Sequence, residues 1–326
     1  MKISHHKILS LQEAVSRYVL DGALISVGGF TVNRAPMAAA YEIIRQKKRG
    51  LHLCVHSAGQ SIDDLIGAGC VSQIELAYAG NGRFASTGVR FRKAVQDGEL
   101  LVEDYSNYQM TLRFMAGAMG LPFLPLKSTF ETDIINKWGF SESMRRADEK
   151  LPPQKLAVID NPFDGWCDTE KLVAVPAINP DVTIIHAQKA DEQGTVRIEG
   201  LTYADIEQAK ASRHLIVTCE EIISVDHMRD TPDLNSLPHF CVDAVVHAPN
   251  GAFPTACFNY YDYDPQFLTR HEQLAKDDTA YQAYLDEYIF NLRDHADFVE
   301  LIGEDNFKRI QANPASGYAT GLNREV

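Results

Sequence analysis

Apolar residues recur along this chain at two periods, one typical of helices and one typical of strands. Residues 10–19 are apolar at every third to fourth position, and Ser10 followed by Glu13 forms a capping-box sequence, so we predict an amphipathic helix there. A strand-like run at residues 24–27 ends in a glycine-rich loop, and a second helical pattern follows over about 36–48. Helix and strand therefore alternate, which is typical of an α/β fold with a parallel sheet.

This alternation continues through most of the chain. Further strand patterns cover residues 51–56, 74–78, 100–102, 172–176, 182–186, 214–219 and 244–248. Further helical patterns cover residues 89–95, 108–119 and 204–211, and helices predominate over about 267–312. The run at 182–186 is almost continuously apolar, as expected of a strand buried on both faces of a sheet. We therefore predict an α/β protein with an open, mainly parallel sheet, flanking helices and a helical C-terminal region.

Residues of about 127–170 interrupt this pattern, because they are polar and irregular. The segment nevertheless contains Ile134, Ile135, Trp138 and Phe140, whose size and apolar character favour burial. We therefore interpret it as an excursion from the sheet within one domain of residues 1–326, and not as a linker between two domains.

Composition narrows the class of protein further. The 326 residues include 31 lysines and arginines against 44 acidic residues, which gives a net charge of −13, and 45% are hydrophobic. This much apolar material argues against a disordered chain, and the acidic balance argues against nucleic-acid binding. No apolar run approaches the roughly 20 residues of a membrane helix, and the opening residues show no secretory signal. We expect a cytoplasmic protein that binds neither nucleic acid nor membrane.

The sequence predicts neither a disulfide framework nor a metal site. Six cysteines are scattered without a C-x-x-C pair, and Cys54 and Cys219 lie in strand-like runs where a reduced cysteine is a small core residue. The 11 histidines show no metal-binding spacing. We therefore expect no structural metal.

Three glycine-containing loops are predicted at the carboxyl ends of strands, where ligands bind in open parallel sheets. They are Gly28-Gly29-Phe30-Thr31, Ser57-Ala58-Gly59 and Gly80-Asn81-Gly82. Glycine lets backbone N–H groups approach a ligand oxygen closely, so such loops can bind a phosphate or an oxyanion. A glycine after a strand is also simply a turn, and for any single loop that interpretation stays open. The glycine motifs of dinucleotide and nucleoside-triphosphate sites are absent from the sequence.

Charged residues near these strand ends supply weaker candidates. Glu103-Asp104 and Glu220-Glu221 follow predicted strands, and paired carboxylates can act as bases or nucleophiles because mutual repulsion raises one pKa. More often such residues cap a helix or pair with an arginine. Basic residues gather after the third loop: Arg83, Arg90, Arg92 and Lys93. They suit an anionic substrate or a cofactor phosphate, although a solvated helix face explains them equally well.

Segments along almost the whole chain match one known family. These segments are 28–31 with Arg34 and Pro36, then 64–67, 90–93, 103–106, 120–125, 159–163, 173–176, 186–188, 194–198, 217–224 and 241–246. As a set, spread over about residues 10–300, they resemble the A (alpha) subunits of family I CoA-transferases, of the glutaconate type. No single segment is specific to this family, but the order of all these segments along the chain is.

The resemblance implies a CoA-transferase (NagB/RpiA-like) fold and an A/B heteromer, A2B2 or larger, with its active site at the subunit interface. In such enzymes a glutamate, usually on the B subunit, attacks an acyl-CoA thioester, and CoA passes through a glutamyl-CoA thioester to a carboxylic acid such as glutaconate. This chain lacks the Ser-Glu-Asn-Gly motif of the B type. We therefore expect it to act only with a B subunit, with a coenzyme A thioester as substrate and no permanently bound cofactor.

The resemblance also implies roles for the loops. The backbone N–H groups of the first loop are expected to bind CoA and to stabilise an oxyanion; its residues are Gly28, Gly29, Phe30 and Thr31. The acyl pocket is expected to contain Ser57, Asn81, Gly82 and Arg83. Arg83 suits a distal carboxylate, but glutaconate-type enzymes have a small residue at that place, so the acyl acceptor is left unspecified.

Two other hypotheses stay open. The ring-opening hydrolases of bacterial steroid degradation resemble these transferases, and in them a glutamate corresponding to Glu103 is the base that helps to hydrolyse a C–C bond in a CoA thioester. The transferases carry a glutamate at the same place in their A subunits, so Glu103 does not discriminate between the two reactions. A non-catalytic acyl-CoA-binding subunit is the third hypothesis, because the chain shows no complete catalytic set.

Overall fold

This computed structural model describes residues 6–322. The strands in this part of the chain form two sheets. The strands are β1 (Leu24–Val27), β2 (Leu51–Ala58), β3 (Val71–Ala79), β4 (Leu101–Asp104), β5 (Phe123–Leu126), β6 (Ala157–Asp160), β7 (Lys171–Pro176), β8 (Val182–Ala190), β9 (Val196–Arg197), β10 (His214–Ile222) and β11 (Ala244–His247). The larger sheet has the order β11-β10-β8-β1-β2-β3-β4, and all of these neighbours are parallel. β9 adds an antiparallel pairing to β8. The predicted open, mainly parallel sheet is confirmed.

Helices flank this sheet, as the α/β pattern predicts. They are α1 (Leu11–Tyr18), α2 (Met37–Arg45), α3 (Gln60–Gly67), α4 (Val89–Gln96), α5 (Asn107–Ala118), α6 (Glu142–Ala147), α7 (Asp205–Ala211), α8 (Val225–Asp230), α9 (Pro265–Leu274), α10 (Asp278–Leu285), α11 (His295–Ile302) and α12 (Glu304–Ile310). The Ser10 capping box is present, because the Glu13 N–H donates to Ser10 Oγ and the Ser10 N–H donates to Glu13 Oε2. Among the described helices, none combines the length and apolar character that crossing a membrane requires.

Helix α3 has no counterpart among the predicted elements. Its apolar residues Ile62, Leu65 and Ile66 do recur at helical spacing, and its polar residues Gln60, Ser61, Asp63 and Asp64 are buried as well. Helix α2 also ends at Arg45, earlier than the predicted end near residue 48.

The strand predicted at 172–176 exists but lies outside the parallel sheet. As β7 it pairs antiparallel with β5 and with β6, and these three strands form the smaller sheet. Met110 and Phe114 of α5 share one buried cluster with Cys54 of β2 and Val173 of β7, so this sheet packs over α5. Within the polar segment 127–170, Phe140 is fully buried, whereas Trp138 stays 36% exposed.

The strand order reverses direction next to β1. From β1 the chain adds β2, β3 and β4 on one side, and it later adds β8, β10 and β11 on the other side. Loops that leave neighbouring strands in opposite directions open a crevice at the carboxyl edge, where such sheets bind ligands. The three glycine-containing loops predicted from the sequence leave β1, β2 and β3 at this edge.

A buried carboxylate ties the C-terminal helices to α3. Asp64 Oδ1 lies 2.8 Å from His271 Nε2 and accepts a hydrogen bond of 3.1 Å from the Tyr281 hydroxyl. Its Oδ2 accepts from the Tyr284 hydroxyl at 3.0 Å and from Gln60 Nε2 at 3.2 Å. Helices α9 and α10 are therefore fastened to α3 by polar contacts inside the core.

This contact predicts a pH-dependent stability. Burial acts to lower the pKa of His271, but the charge and hydrogen bond of Asp64 outweigh it, and the pKa is raised above its ordinary value. A raised folded-state pKa stabilises the protein below the unfolded value of about 6.5, and this contribution is lost as pH rises through the folded pKa. We expect His271→Gln to reduce the free energy of unfolding more at about pH 6 than at about pH 9.

Urea unfolding of the chain at both pH values measures this difference. His227→Gln is the matched control, because His227 is exposed on α8 and its loss should leave stability nearly unchanged at either pH. An equal effect of His271→Gln at both pH values would contradict a protonated His271 in the folded chain.

Candidate functional site

The loop after β1 is closed by hydrogen bonds within the chain. The Gly28 N–H donates to Ile184 O at 2.9 Å, and the Gly29 N–H donates to Asp205 Oδ1 at 2.9 Å. The Phe30 N–H donates to Asn33 O at 2.8 Å, and the Thr31 N–H donates to Ser57 O at 3.2 Å. The expectation that these N–H groups stabilise an oxyanion therefore needs correction. In this structure they shape the loop and are not free to bind a ligand.

Asp205 and Arg34 form the buried support of this loop. Arg34 Nη1 donates to Asp205 Oδ2 at 2.7 Å and to His186 O at 2.9 Å, and Arg34 Nη2 donates to Leu201 O at 3.1 Å. Arg34 is 3% exposed and Asp205 is fully buried. Gly29 has φ +84°, and a Cβ there would lie 2.7 Å from Arg34 O, so only glycine fits between the loop and its support. Sequence reasoning missed Asp205, because it follows Gly29 by 176 positions.

An aromatic row extends from this loop across the crevice. The Phe30 ring stacks on Tyr203, with centroids 4.8 Å apart and an angle of 10° between the planes. Its centroid lies 5.8 Å from that of the His56 imidazole on β2. Phe30 and His56 are both partly exposed. The row therefore presents two aromatic groups and one imidazole at the carboxyl edge of the sheet.

His56 is a site residue that sequence reasoning missed. Burial lowers its pKa, and this effect outweighs the opposing influences of the Asn107 backbone and the Asp205 charge, so the imidazole is neutral near pH 7. Its Nδ1 is shielded from solvent, and the ring forms a hydrogen bond with the Asn107 backbone. A histidine near the carboxyl end of β2, directly before Ser57, was the signal available in the sequence.

Ser57 and Asn81 lie at the ends of neighbouring strands. Ser57 belongs to β2 and not to the loop beyond it; it is 2% exposed, and its Oγ donates to Asn107 Oδ1 at 2.8 Å. Asn81 is also 2% exposed, and its Oδ1 has no partner within the described chain. A Cβ on Gly59 would lie 2.3 Å from Asn81 Oδ1 and 2.4 Å from Thr31 O. The absence of a side chain at Gly59 thus lets all three loops converge.

The basic cluster separates into two parts with different surroundings. Gly82 and Arg83 are exposed beyond β3, where Arg83 Nη2 donates to the Tyr263 hydroxyl at 3.2 Å and the guanidinium lies 5.0 Å from the Phe84 ring centroid. Arg90 is instead buried, and its Nη1 donates to Asp278 Oδ1. Arg83 therefore stays available to an anionic ligand, whereas Arg90 fastens α4 to α10.

Lys93 and Arg92 complete that cluster on α4. Lys93 Nζ donates to Asp97 Oδ2 at 2.7 Å, and Arg92 is exposed. Because the Lys93 ammonium already has a carboxylate partner, Lys93 is better interpreted as part of a charged helix face than as part of a ligand site.

Glu103 is a fully buried residue inside β4, and not a residue beyond the strand end. Its Oε2 pairs with Arg145 Nη2, and its Oε1 accepts the Gly139 N–H at 2.8 Å and lies 3.6 Å from Lys155 Nζ. Arg145, Gly139 and Lys155 all belong to the polar segment 127–170. Glu103 therefore holds that segment against the sheet edge, and a base needs a reachable oxygen that these contacts occupy.

Glu220 is likewise built into the core. It lies within β10, its Oε1 accepts the Tyr261 hydroxyl and lies 2.8 Å from His186 Nε2, and its Oε2 accepts the Asn250 N–H at 2.8 Å. Glu221 is exposed. Both oxygens of Glu220 are thus engaged, which supports the structural interpretation of this pair of residues.

Two buried groups combine ligand types that metals prefer. His186, Glu220 and Cys257 form one of them, and His52, Cys54 and Glu75 form the other. In the first group both ring nitrogens of His186 already contact protein groups, Thr218 Oγ1 and Glu220 Oε1, each at 2.8 Å. In the second, Arg113 Nη1 donates to Glu75 Oε2 at 2.6 Å and supplies the positive charge there.

Comparison with known proteins agrees with this architecture. The family model of coenzyme A transferase matches residues 8–248. The chain is 40% identical over 319 residues to the A subunit of glutaconate CoA-transferase from Acidaminococcus fermentans, covering 98% of this chain and 99% of that protein. The crystal structure of that glutaconate coenzyme A-transferase superposes with a TM-score of 0.93 at 39% identity, over 98% of this chain and 100% of the matched chain.

Two further relatives are less similar to this chain in sequence. The chain is 36% identical to the A subunit of 3-oxoadipate CoA-transferase from Pseudomonas knackmussii, over 91% of this chain and 99% of that protein. It is 26% identical to a cholesterol ring-cleaving hydrolase subunit of Rhodococcus jostii, over 88% of this chain and 93% of that one. The hydrolase is the more distant of these relatives.

The fold is an open α/β sheet with three loops converging at its carboxyl edge, and it is shared with the crystal structure of glutaconate coenzyme A-transferase. The chain belongs to the coenzyme A transferase family, and over nearly its full length it is similar to the A subunits of heteromeric CoA-transferases. The predicted family resemblance is confirmed.

Proposed function

We propose that this chain, together with a B subunit, moves CoA between an acyl-CoA and a carboxylic acid of the dicarboxylate class, such as glutaconate or 3-oxoadipate. The observation that carries this proposal is a strand-end crevice with binding groups, where the two buried glutamates among the candidates, Glu103 and Glu220, have both carboxylate oxygens engaged. Glu221, the third candidate glutamate, lies exposed in β10. Because neither buried glutamate is free, and because the resemblance places the nucleophile on the B subunit, we assign the nucleophile to the partner subunit.

The proposed reaction proceeds in two half-reactions. On the B subunit, the carboxylate of a glutamate attacks the thioester carbonyl, CoA thiolate leaves, and an acyl-glutamyl anhydride forms. The thiolate then attacks the glutamyl carbonyl of the anhydride, which releases the first carboxylic acid and leaves a glutamyl-CoA thioester. The acceptor carboxylate reverses these steps, so that it becomes the new acyl-CoA and the glutamate is regenerated.

The residues of this chain form one wall of the proposed site. The loop of residues 28–31 supplies a rigid, aromatic surface through Phe30, because its N–H groups are engaged within the chain. Ser57, Asn81 and Gly82 border the acyl pocket, and the exposed Arg83 guanidinium pairs with a distal carboxylate of the substrate. A2B2 or larger stoichiometry, a cytoplasmic location and a single domain of residues 1–326 belong to the same proposal.

Trapping the covalent intermediate tests the proposal. The purified A/B complex is incubated with an acyl-CoA, treated with hydroxylamine or borohydride, and digested for mass spectrometry. We expect one modified glutamate, on the partner subunit, and no modified residue when this chain is incubated without its partner. A modified carboxylate on this chain would contradict the assignment.

The other two hypotheses predict different results. The hydrolase hypothesis predicts no adduct, together with turnover that depends on Glu103 as a base. The non-catalytic hypothesis predicts that the complex binds CoA without adduct and without turnover. The buried, doubly paired state of Glu103 does not favour the hydrolase.

A further inference from the structure

We propose that a cavity at the amino edge of the main sheet binds a nucleoside phosphate. Arg17 and Arg213 bind the phosphate, and the rings of Tyr18 and His214 contact the base. This site is separate from the strand-end crevice, so its ligand is distinct from the acyl-CoA and the acid of the proposed reaction. The inference goes beyond the proposed function and does not rest on it.

This amino-edge cavity lies at the opposite end of the strands from the crevice. The end of α1 surrounds it together with the residues just before β1, β8 and β10, which include Ala23, Asp181 and Arg213. These three strands are parallel, so their amino ends share one edge of the sheet, whereas the glycine-containing loops leave from the other edge. The volume of the cavity is about 400 Å³, and small-molecule sites typically have about 300–1,000 Å³.

Two arginines at the amino-edge cavity have no carboxylate partner. Arg17 lies in the last turn of α1, and Arg213 directly precedes β10. Both are exposed, and neither forms an ion pair with another part of residues 6–322. The parallel N–H groups of a guanidinium match two oxygens of a phosphate, and they bind it with charge-assisted hydrogen bonds. Two unpaired guanidinium groups at one cavity therefore favour a phosphate-bearing ligand.

The other charged residues leave the amino-edge cavity positive. Lys150 Nζ donates to Asp181 Oδ2 at 2.8 Å, so these two lining charges balance each other. Asp21 is the second carboxylate of the lining, and its Oδ1 accepts the Arg49 N–H at 2.8 Å. Burial acts to raise the pKa of Asp181, but its hydrogen bonds and the charges of Lys150 and Arg213 outweigh burial, and the pKa is lowered. A lowered carboxyl pKa indicates a positive potential, in a chain whose net charge is −13.

The rings at the amino-edge cavity indicate what accompanies the phosphate. The centroids of Tyr18 and His214 lie 5.1 Å apart, with an angle of 43° between the planes, and both residues are partly exposed. The side chain of Leu20, which also lines the cavity, is 61% exposed. Flat heterocycles stack on aromatic side chains. A ligand that joins a phosphate to a heterocycle uses both features of the cavity, and a nucleoside phosphate is such a ligand.

Calorimetric titration of the full chain with AMP, adenosine and inorganic phosphate tests this assignment. We expect AMP to bind, and we expect adenosine and phosphate each to bind at least about 10-fold more weakly. Adenosine lacks the group that the arginines bind, and phosphate lacks the group that the rings contact.

Four substitutions assign the binding to this cavity. Arg17→Gln and Arg213→Gln should each weaken AMP binding about 10-fold and leave adenosine binding unchanged, because each removes a charge-assisted contact to the phosphate. Tyr18→Leu should weaken the binding of AMP and adenosine but not that of phosphate. Arg229→Gln is the matched control, since it changes an exposed arginine on α8 and should leave AMP binding unchanged. Urea unfolding shows whether each variant is folded.

Any other result contradicts the proposal. AMP binding that survives both arginine substitutions would place the nucleotide elsewhere on the chain. Equal affinity for AMP and phosphate would show that the rings take no part, and a lack of AMP binding at millimolar concentration would overturn the site itself. These titrations involve no CoA transfer, so the proposed function and this inference fail independently of each other.

Discussion

Replacing Asp205 with asparagine is expected to lower the free energy of unfolding by about 3–5 kcal/mol, the cost typical of removing one partner from a buried ion pair. Asp205 is fully buried, and its carboxylate pairs with Arg34 at 2.7 Å while accepting the Gly29 N–H at 2.9 Å. The amide of asparagine carries no charge, so the Arg34 guanidinium is left in the core with carbonyl groups as its remaining partners.

The same substitution should impair turnover of the A/B complex that remains folded. The loop of residues 28–31 relies on Asp205 for the Gly29 contact, and this loop positions the Phe30 ring at the proposed site. Misplacing a site wall by about 1 Å can reduce a rate about 100-fold. Urea unfolding of the chain and CoA transfer per folded complex measure the two effects.

Glu207→Gln is the matched control for Asp205→Asn. Glu207 lies on the same helix, α7, and forms no ion pair within residues 6–322. Its replacement should change stability by less than about 0.5 kcal/mol. If Asp205→Asn behaved like this control, the carboxylate would not be the support of the loop. A Gly29→Val variant is a poor substitute for this test, because its side chain would collide with the backbone of residues 34–35.

The second large effect that we expect is from Glu103→Gln, which should also lower the free energy of unfolding by about 3–5 kcal/mol. The substitution removes the negative charge between two cations, Arg145 and Lys155, whose side chains are 1% and 0% exposed. Lys155 keeps Asp104 as a partner at 2.9 Å, so Arg145 carries most of the unbalanced charge. Release of the polar segment around residues 137–155 should accompany the loss, and hydrogen exchange measures it.

Two variants make this second prediction specific. Glu99→Gln removes an exposed carboxylate just before β4 and should leave stability nearly unchanged. The double variant Glu103→Leu/Arg145→Met replaces both charges with apolar groups. It should recover part of the lost unfolding free energy, because a protein with an apolar pair in place of a buried ion pair is often equally stable. A double variant that is less stable than either single one would contradict the ion-pair explanation.

The Glu103 variants also test whether Glu103 takes part in the reaction. If Glu103 acts only through structure, the folded fraction of a Glu103→Gln complex should keep its rate of glutamyl adduct formation. A folded complex that has lost all turnover, without change in the Arg145 segment, would instead favour the hydrolase hypothesis.

The strands of the main sheet were predictable because each is a short apolar run. Residues 182–186 are mostly apolar and completely buried, and they fall within β8, between β10 and β1, as predicted. Residues 172–176 have the same composition, yet they pair antiparallel in the smaller sheet. Apolar content indicates that a strand is buried, but not which strand it pairs with.

The order of motifs along the sequence by itself determined the class of fold and the family, and it predicted which loops form the site. Only the tertiary structure decided which groups in those loops are free. Gly29 donates to a carboxylate 176 positions away, and Glu103 pairs with an arginine 42 positions away. Hydrogen bonds form between atoms that folding brings within about 3 Å, and spacing along the chain carries no record of that distance.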